Sequence, residues 1–411
     1  MRQLADESED LLSPEAVADP HAYFGQLRSR DAIHWNPLWN GWIVTRHKDV
    51  TSILLDHERF SSDRMGYLDS HASDEKKESL KALYSIISLG LPFIDPPDHT
   101  RLRLLHQRAS FTPGQLASWR PRVQAIVDDL LDSLEPEQPV DFIEALSFPL
   151  PMLVTGEIIG FPAEDRDQVR HWTQEVALST FVARMDAGEK RARAEAAAKD
   201  FMEYTLSLIR ARRAEPRDDL LTAFVNAEHE GDLLSEEEIV SNIILLMIAG
   251  HETTSNLLAN GLLAFIRNPA QIDLVRRDGL MIGAAVEECL RFDPPVKATT
   301  RWAKIDVEMD GRTMKAEQKI LLALASANRD PEQFPDPDRF DITRRLTPQQ
   351  HTSFVVGIHY CLGAPLARIE AEVTYTSLFE RFSSIELASE DLEYKPSAIS
   401  RSLTALPVVM S

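Results

Sequence analysis

Cysteine is scarce in this 411-residue chain, which has Cys289 and Cys361 and no others. That scarcity excludes a disulfide framework and a multi-cysteine metal cluster, so each thiol needs its own explanation. Long apolar runs are also missing. The longest uninterrupted one, Ile243 to Ala249, falls far short of the roughly 18 residues that a membrane span requires. Positive charge is in deficit: 44 Lys and Arg stand against 65 Asp and Glu, a formal net charge of −21. Such a balance opposes a general attraction to nucleic acid or to an anionic membrane surface, and neither is expected as a partner. The opening residues turn acidic through Asp6, Glu7, Glu9 and Asp10, unlike the basic-then-apolar pattern of a secretory signal, so a cytoplasmic location is expected. Linkers, internal repeats and low-complexity tracts are absent from the sequence. One domain over residues 1–411 is expected, monomeric, with 44% hydrophobic residues to build a sizeable core.

What is present is mostly helical periodicity. Trp35, Trp42 and Val44 flank the turn signal Asn40-Gly41, which predicts a β-hairpin over 33–44, and Asp310-Gly311 predicts a second. One helix is unusually long. Ser235 and Glu238 match a capping box, and the apolar pattern continues through Ile243, Leu246, Met247, Leu257, Leu258 and Phe265 to the Asn268-Pro269 stop. The fold class is therefore mainly α with small β-sheets.

Cys361 lies in Phe354-Val355-Val356-Gly357-Ile358-His359-Tyr360-Cys361-Leu362-Gly363-Ala364-Pro365, between two glycines and just ahead of a helix predicted from Pro365 towards Phe382. Glycines let the backbone approach a flat ligand closely, and a helix N-terminus favours a thiolate over a thiol. A thiolate is what a haem iron needs for O–O cleavage. Cys289 has no such surroundings and reads as a buried structural cysteine. The segment resembles the haem-binding loop of the cytochrome P-450 family, Phe-Gly-x-Gly-x-His-x-Cys-x-Gly, and Ala364-Pro365-Leu366-Ala367-Arg368 is similar to soluble bacterial members. It departs from the pattern at Val355, where the family usually has glycine, a change that bears on the turn but not on the ligand.

The resemblance implies a helix-rich prism with haem b between the long central helix and the helix after the cysteine, and Cys361 as the iron ligand. In the long helix, Ala249-Gly250-His251-Glu252-Thr253-Thr254 replaces apolar residues with poor helix formers, which predicts a loosened backbone ladder beside a small-ligand groove. By resemblance, Glu252 and Thr253 are the acid–alcohol pair that delivers protons where dioxygen binds. A zinc-protease reading of His251-Glu252 fails because position 255 is Ser. Glu288 and Arg291 share a helix face from about Leu280 to Asp293, and alone this spacing reads as a solvated ion pair. The resemblance instead implies a buried network completed by Arg339 of Asp338-Arg339-Phe340. It further assigns His99, Arg103, Arg301 and His359 to the haem propionates, with Gly363 beside the cofactor.

Substrate contacts are expected, by the same resemblance, from Phe93, Leu178, Phe181, Ile244 and Val296, a set suited to an apolar small molecule. The sequence carries no flavin, iron–sulfur or nicotinamide motif, so electrons are expected from a ferredoxin and its reductase. Arg368, with Arg103 and Arg108, is expected to form a basic docking patch for that donor. The function expected is a haem-dependent monooxygenase that hydroxylates or epoxidises its substrate with O2. A peroxide-driven or isomerising haem-thiolate enzyme is the alternative, and a non-catalytic haem sensor a more distant one, because neither requires the pair Glu252 and Thr253.

Overall fold

The computed structural model describes residues 9–64, 66, 78, 81–135, 137–181, 188–229, 231–347 and 349–411. Helices dominate, and the strands gather into small sheets. The chain divides into two compact units, one of 62–122 and 151–252, the other of 1–61, 123–150 and 253–411. No helix among the described residues is long and apolar enough to cross a membrane.

The first unit is mainly helical, with one two-stranded sheet of Glu228–His229 and Asp232–Leu233. Helix Arg166–Phe181 packs on Gly188–Ala214 through Trp172, stacked on Phe201 with ring centres 5.5 Å apart. Arg212, buried, binds Asp219 at 2.6 Å and the carbonyl of Gly160 at 2.8 Å. Asp219 also caps helix Leu220–Val225 by accepting from the Thr222 amide, so one carboxylate serves two elements. This unit also contains α1 (Asp98–Ala109) and the start of α2 (Glu236–Ile266). The capping box that opens α2 is formed: Glu238 N–H donates to Ser235 Oγ at 3.1 Å, and Ser235 N–H to Glu238 Oε2 at 2.8 Å. With 31 residues, α2 is roughly 46 Å long at the usual rise per residue. It continues through Gly250 to Thr254 without a break, so the expected loosening of the backbone is corrected.

The second unit is mixed. Its main sheet has the order β1 (Ile33–Asn36), β2 (Gly41–Val44), β5 (Lys319–Leu322), β4 (Thr299–Ala303), β3 (Phe60–Ser61). The first hairpin pairs Trp35 with Trp42, and Asn40 takes the left-handed conformation that its tight turn needs. The second pairs Val307–Met309 with Arg312–Met314 around Asp310 and Gly311, both at positive φ. A core of Ile33, Val44, Ile53, Phe60, Ile320 and Leu322 lies on the sheet. The predicted helix from Leu280 begins as a 3-10 turn at Gly279–Met281 and becomes α3 at Ile282–Phe292, while α4 spans Ala364–Arg381.

Tyr375 of α4 donates to the α2 carbonyl of Leu257 at 2.9 Å. Gly261 makes room for it: a Cβ there would collide with the Tyr375 hydroxyl and lie 3.1 Å from Cys289 Sγ. Gly261→Ala gains about 1 kcal/mol in helix propensity but overpacks this seam by about 1–3 kcal/mol and disturbs a buried hydrogen bond worth about 1. Thermal unfolding of Gly261→Ala should therefore show a lower midpoint than wild type. An equal or higher midpoint would mean that the two helices can part without loss.

Candidate active site

The cysteine loop is held in place by its own backbone hydrogen bonds. Val355 N–H donates to Thr352 O at 2.8 Å, Cys361 N–H to Phe354 O at 3.0 Å, and Gly357–His359 forms a 3-10 turn. Val355 adopts φ +52°, so the turn keeps a left-handed residue where glycine would sit without strain, and a β-branched side chain there costs about 1–2 kcal/mol. Gly357 has φ +79°, and a Cβ on it would come within 3.1 Å of Leu54 O. Gly363 caps α4, and a Cβ there would meet no atom within 4 Å, so the backbone beside Cys361 is open to a flat ligand. Cys361 is partly exposed, three residues ahead of the first helical turn. Cys289 is buried, and its thiol is pushed well above its ordinary range by burial and then by Glu288, as befits a structural residue.

Glu288 and Arg291 are fully buried and bidentate, at 2.7 and 2.8 Å. The solvated-pair reading of the spacing is thus excluded. Arg291 also donates to the carbonyls of Asn328, Pro337 and Arg339, and Glu288 accepts from Asp341 N–H at 2.8 Å. The expectation for the Arg339 side chain is corrected. Its carbonyl faces the network while its guanidinium is 67% exposed, 3.7 Å from Asp341. Arg344 approaches Glu288 instead, at 3.4 Å.

A second carboxylate, Glu287, binds Arg368 through Nε at 2.5 Å and Nη2 at 3.2 Å, and binds His351 Nε2 at 3.0 Å. Burial pushes the Glu287 carboxyl up, but the bonds from His351 and Arg368 outweigh it and hold the group down at about 2. The stabilisation is complete above the carboxyl's ordinary value of 4.5 and is lost as pH falls towards 2. Arg368 also lies over the Phe354 ring at 4.7 Å and donates to Tyr360 Oη at 3.2 Å. With a side chain only 16% exposed, Arg368 is committed inward, which corrects its expected role as a docking arginine.

Along α2 the burial pattern marks one face. Val240 to Leu245 are buried, whereas Leu246, Gly250 and Thr253 are half-buried and Ala249 is exposed. Residues three and four apart share a helix face, so Ala249 and the hydroxyl of Thr253 lie on the same partly accessible side of α2. Glu252 is half-buried, and His251 and Thr254 are buried. On α1, His99 is buried and Arg103 half-buried. His106, one turn further on, is held neutral with its value lowered to about 3 by burial first, then by Arg103 and His99. The Arg103 guanidinium supplies a positive charge suited to an anionic ligand at this helix. Arg301 of β4 is buried and donates to Thr300 O at 2.8 Å, and His359 lies in the 3-10 turn before Cys361.

Of the expected substrate contacts, Phe93 closes the 3-10 turn Leu91–Phe93, which Asn242 of α2 fixes by accepting from Leu91 N–H at 3.1 Å. Val296 is half-buried on the sheet core and bridges to Ser400. Ile244 is corrected: at 0% exposure it is enclosed by protein atoms and lines no open space. Leu178 and Phe181 lie at the end of helix Arg166–Phe181, with their side chains outside the described residues.

Residues 162–278 and 280–404 match the model of the family described as Cytochrome P450. The chain belongs to the cytochrome P450 family. It is 37% identical to "Cytochrome P450 CYP107DY1" of Priestia megaterium, covering 98% of each chain, and 38% identical to "Vitamin D(3) 25-hydroxylase" of Pseudonocardia autotrophica, covering 98% and 97%. Among solved structures it is similar to P450BioI in complex with an acyl carrier protein bearing hexadec-9Z-enoic acid, at a TM-score of 0.88 and 34% identity over 97% of this chain and 100% of that one. The chain has the cytochrome P450 fold and is an oxidoreductase of the P450 monooxygenase class, for which the family implies a haem-thiolate iron cofactor. The residues around the cysteine suit such a group: a part-exposed thiol before a helix and open backbone at Gly363.

Sequence reading of this P450 missed His106, Glu287, Arg344 and His351. The spacing of His99, Arg103 and His106 along one helix was a usable signal, because it places three basic groups on one face. The partners of Glu287 are 64 and 81 residues away, beyond any local pattern.

Proposed function

We propose that Cys361 holds the iron of haem b and that the enzyme inserts one oxygen atom from O2 into an apolar small molecule, by hydroxylation or epoxidation. The observation that carries this reading is the contrast between the two thiols: Cys361 is accessible at the N-terminus of α4, and Cys289 is sealed in the core. Bound there, the haem supplies the activation of dioxygen and the transfer of its oxygen. The chain supplies the rest. His99, Arg103, Arg301 and His359 bind the propionates, and Gly363 admits the macrocycle beside the thiolate. Phe93 and Val296, both partly exposed, present apolar surface that orients the substrate and excludes water.

Glu252 and Thr253 move protons. The Thr253 hydroxyl donates into the space beside Ala249, and the Glu252 carboxyl resupplies it directly or through one water. Electrons come from a ferredoxin and its reductase in the cytoplasm, docking without Arg368. The two units work as one catalytic domain in a monomer. Relatives named "Vitamin D(3) 25-hydroxylase" and "Cyclomarin C epoxidase CymV" support hydroxylation or epoxidation as the reaction. With reduced ferredoxin and O2, wild type should couple most of its electrons to product, whereas Thr253→Ala should keep haem and substrate binding yet divert them, with product per electron falling about tenfold or more. Product formed by Thr253→Ala at the wild-type ratio, or turnover with peroxide alone and none with ferredoxin, would favour the peroxide-driven alternative.

A further inference from the structure

Helix α3 carries two consecutive glutamates, and successive residues on a helix point about 100° apart. Glu288 therefore serves one neighbour and Glu287 another. Through Arg291, Glu288 holds the segment from Asn328 to Arg344. None of those partners belongs to the cysteine loop. Glu287 reaches that loop at both ends: His351, ten residues before Cys361, and Arg368, seven after it.

We propose that Glu287 is a positioning residue for the thiolate, clamping the two ends of the cysteine loop to α3 through His351 and Arg368. The proposal rests on the reading of Cys361 as the iron ligand. On the near side, His351 is fully buried, and its Nδ1 accepts from Ser353 N–H at 3.3 Å, which leaves Nε2–H to donate to Glu287. Ser353 in turn donates to Leu290 O and accepts from Asn328 Nδ2, both at 2.7 Å, so the start of the loop has little freedom once His351 is fixed. On the far side, Arg368 lies over Phe354, and the Phe354 carbonyl takes the Cys361 amide proton. Arg368 also donates to Tyr360, the residue before the thiolate. One carboxylate thus fixes the residues that set the position of Cys361. Its bonds are charge-assisted and shielded from solvent, which makes them stronger than neutral ones. The groups behind a metal ligand typically change metal affinity by about 10- to 100-fold when removed.

Glu287→Gln keeps the shape and one acceptor oxygen but removes the charge. The haem-loaded full chain should be compared with wild type in three ways: haem content, the rate at which the reduced carbon monoxide complex loses its red-shifted thiolate band under mild urea, and the ferric–ferrous potential. The account expects haem content near wild type, loss of the band faster by about 10- to 100-fold, and a displaced potential. Glu287→Gln/Arg368→Gln should be no worse than Glu287→Gln alone, because both changes break the same clamp. An unchanged rate and potential, or a lowered thermal midpoint as the sole effect, would overturn the proposal and leave Glu287 a stabiliser of the fold. If Glu287→Gln yields no haem-loaded protein, the same measurements on His351→Gln, which removes one arm, decide in the same way. A wild-type protein without the thiolate band would instead overturn the reading of Cys361, and the clamp with it.

Discussion

Glu288→Ala is expected to yield almost no haem-loaded protein. The substitution leaves the Arg291 guanidinium fully buried without a counter-ion and strips the Asp341 amide of its acceptor. Breaking one side of a buried ion pair costs about 3–5 kcal/mol, a large share of the roughly 5–15 kcal/mol that holds an ordinary domain together. The loss falls on the segment from Asn328 to Arg344, and Asn328 passes it on, since its side chain binds Thr352 and Ser353 at the head of the cysteine loop. Arg291→Lys should fail nearly as badly, because an ammonium keeps the charge but cannot span both oxygens of Glu288 and three carbonyls. Arg344→Ala should cost less than Glu288→Ala, since Arg344 reaches Glu288 only at 3.4 Å and its shorter bonds, 2.6 Å to the carbonyls of Pro335 and Asp336, lie outside the ion pair. Haem-to-protein ratio and thermal midpoint of the purified variants check this order. A Glu288→Ala protein with full haem and an unchanged midpoint would show that the network is dispensable.

The features legible in the sequence are those that local chemistry decides. Asn-Gly and Asp-Gly marked both hairpins because Asn40 in the first, and Asp310 with Gly311 in the second, take the left-handed backbone that few other residues tolerate. Ser235 and Glu238 announced the start of α2 because a capping box closes within one turn. The glycines around Cys361 distinguished it from Cys289 in the same way. Misreadings arose where the answer depended on distant chain. A helix apolar on all sides gives no phase, so Ile244 looked as good a pocket residue as any, although the exposed position is Ala249. Arg339 and Arg344 are both basic residues near Glu288 in sequence order. Which of them turns inward is set by the backbone path after Pro337, and the carbonyl of Arg339 takes the inward place. Arg368 looked like a surface charge because its partner Glu287 lies 81 residues earlier.

The assignment of the thiolate carries every other functional statement, and the two cysteines allow it to be tested cleanly. Cys361 is accessible and precedes a helix, while Cys289 is enclosed, with a thiol that burial and Glu288 keep protonated. Cys289→Ala removes a small buried side chain beside Gly261 and Tyr375, so it should lower stability modestly and leave the iron ligand untouched. Cys361→His supplies a neutral imidazole in place of the anionic sulfur, and without the electron density of a thiolate the spectrum must change. The deciding measurement is the Soret band of the reduced carbon monoxide complex, recorded for wild type and both variants. The account predicts the strongly red-shifted thiolate band in wild type and Cys289→Ala, and its complete loss in Cys361→His. A band that survives in Cys361→His and disappears in Cys289→Ala would contradict it.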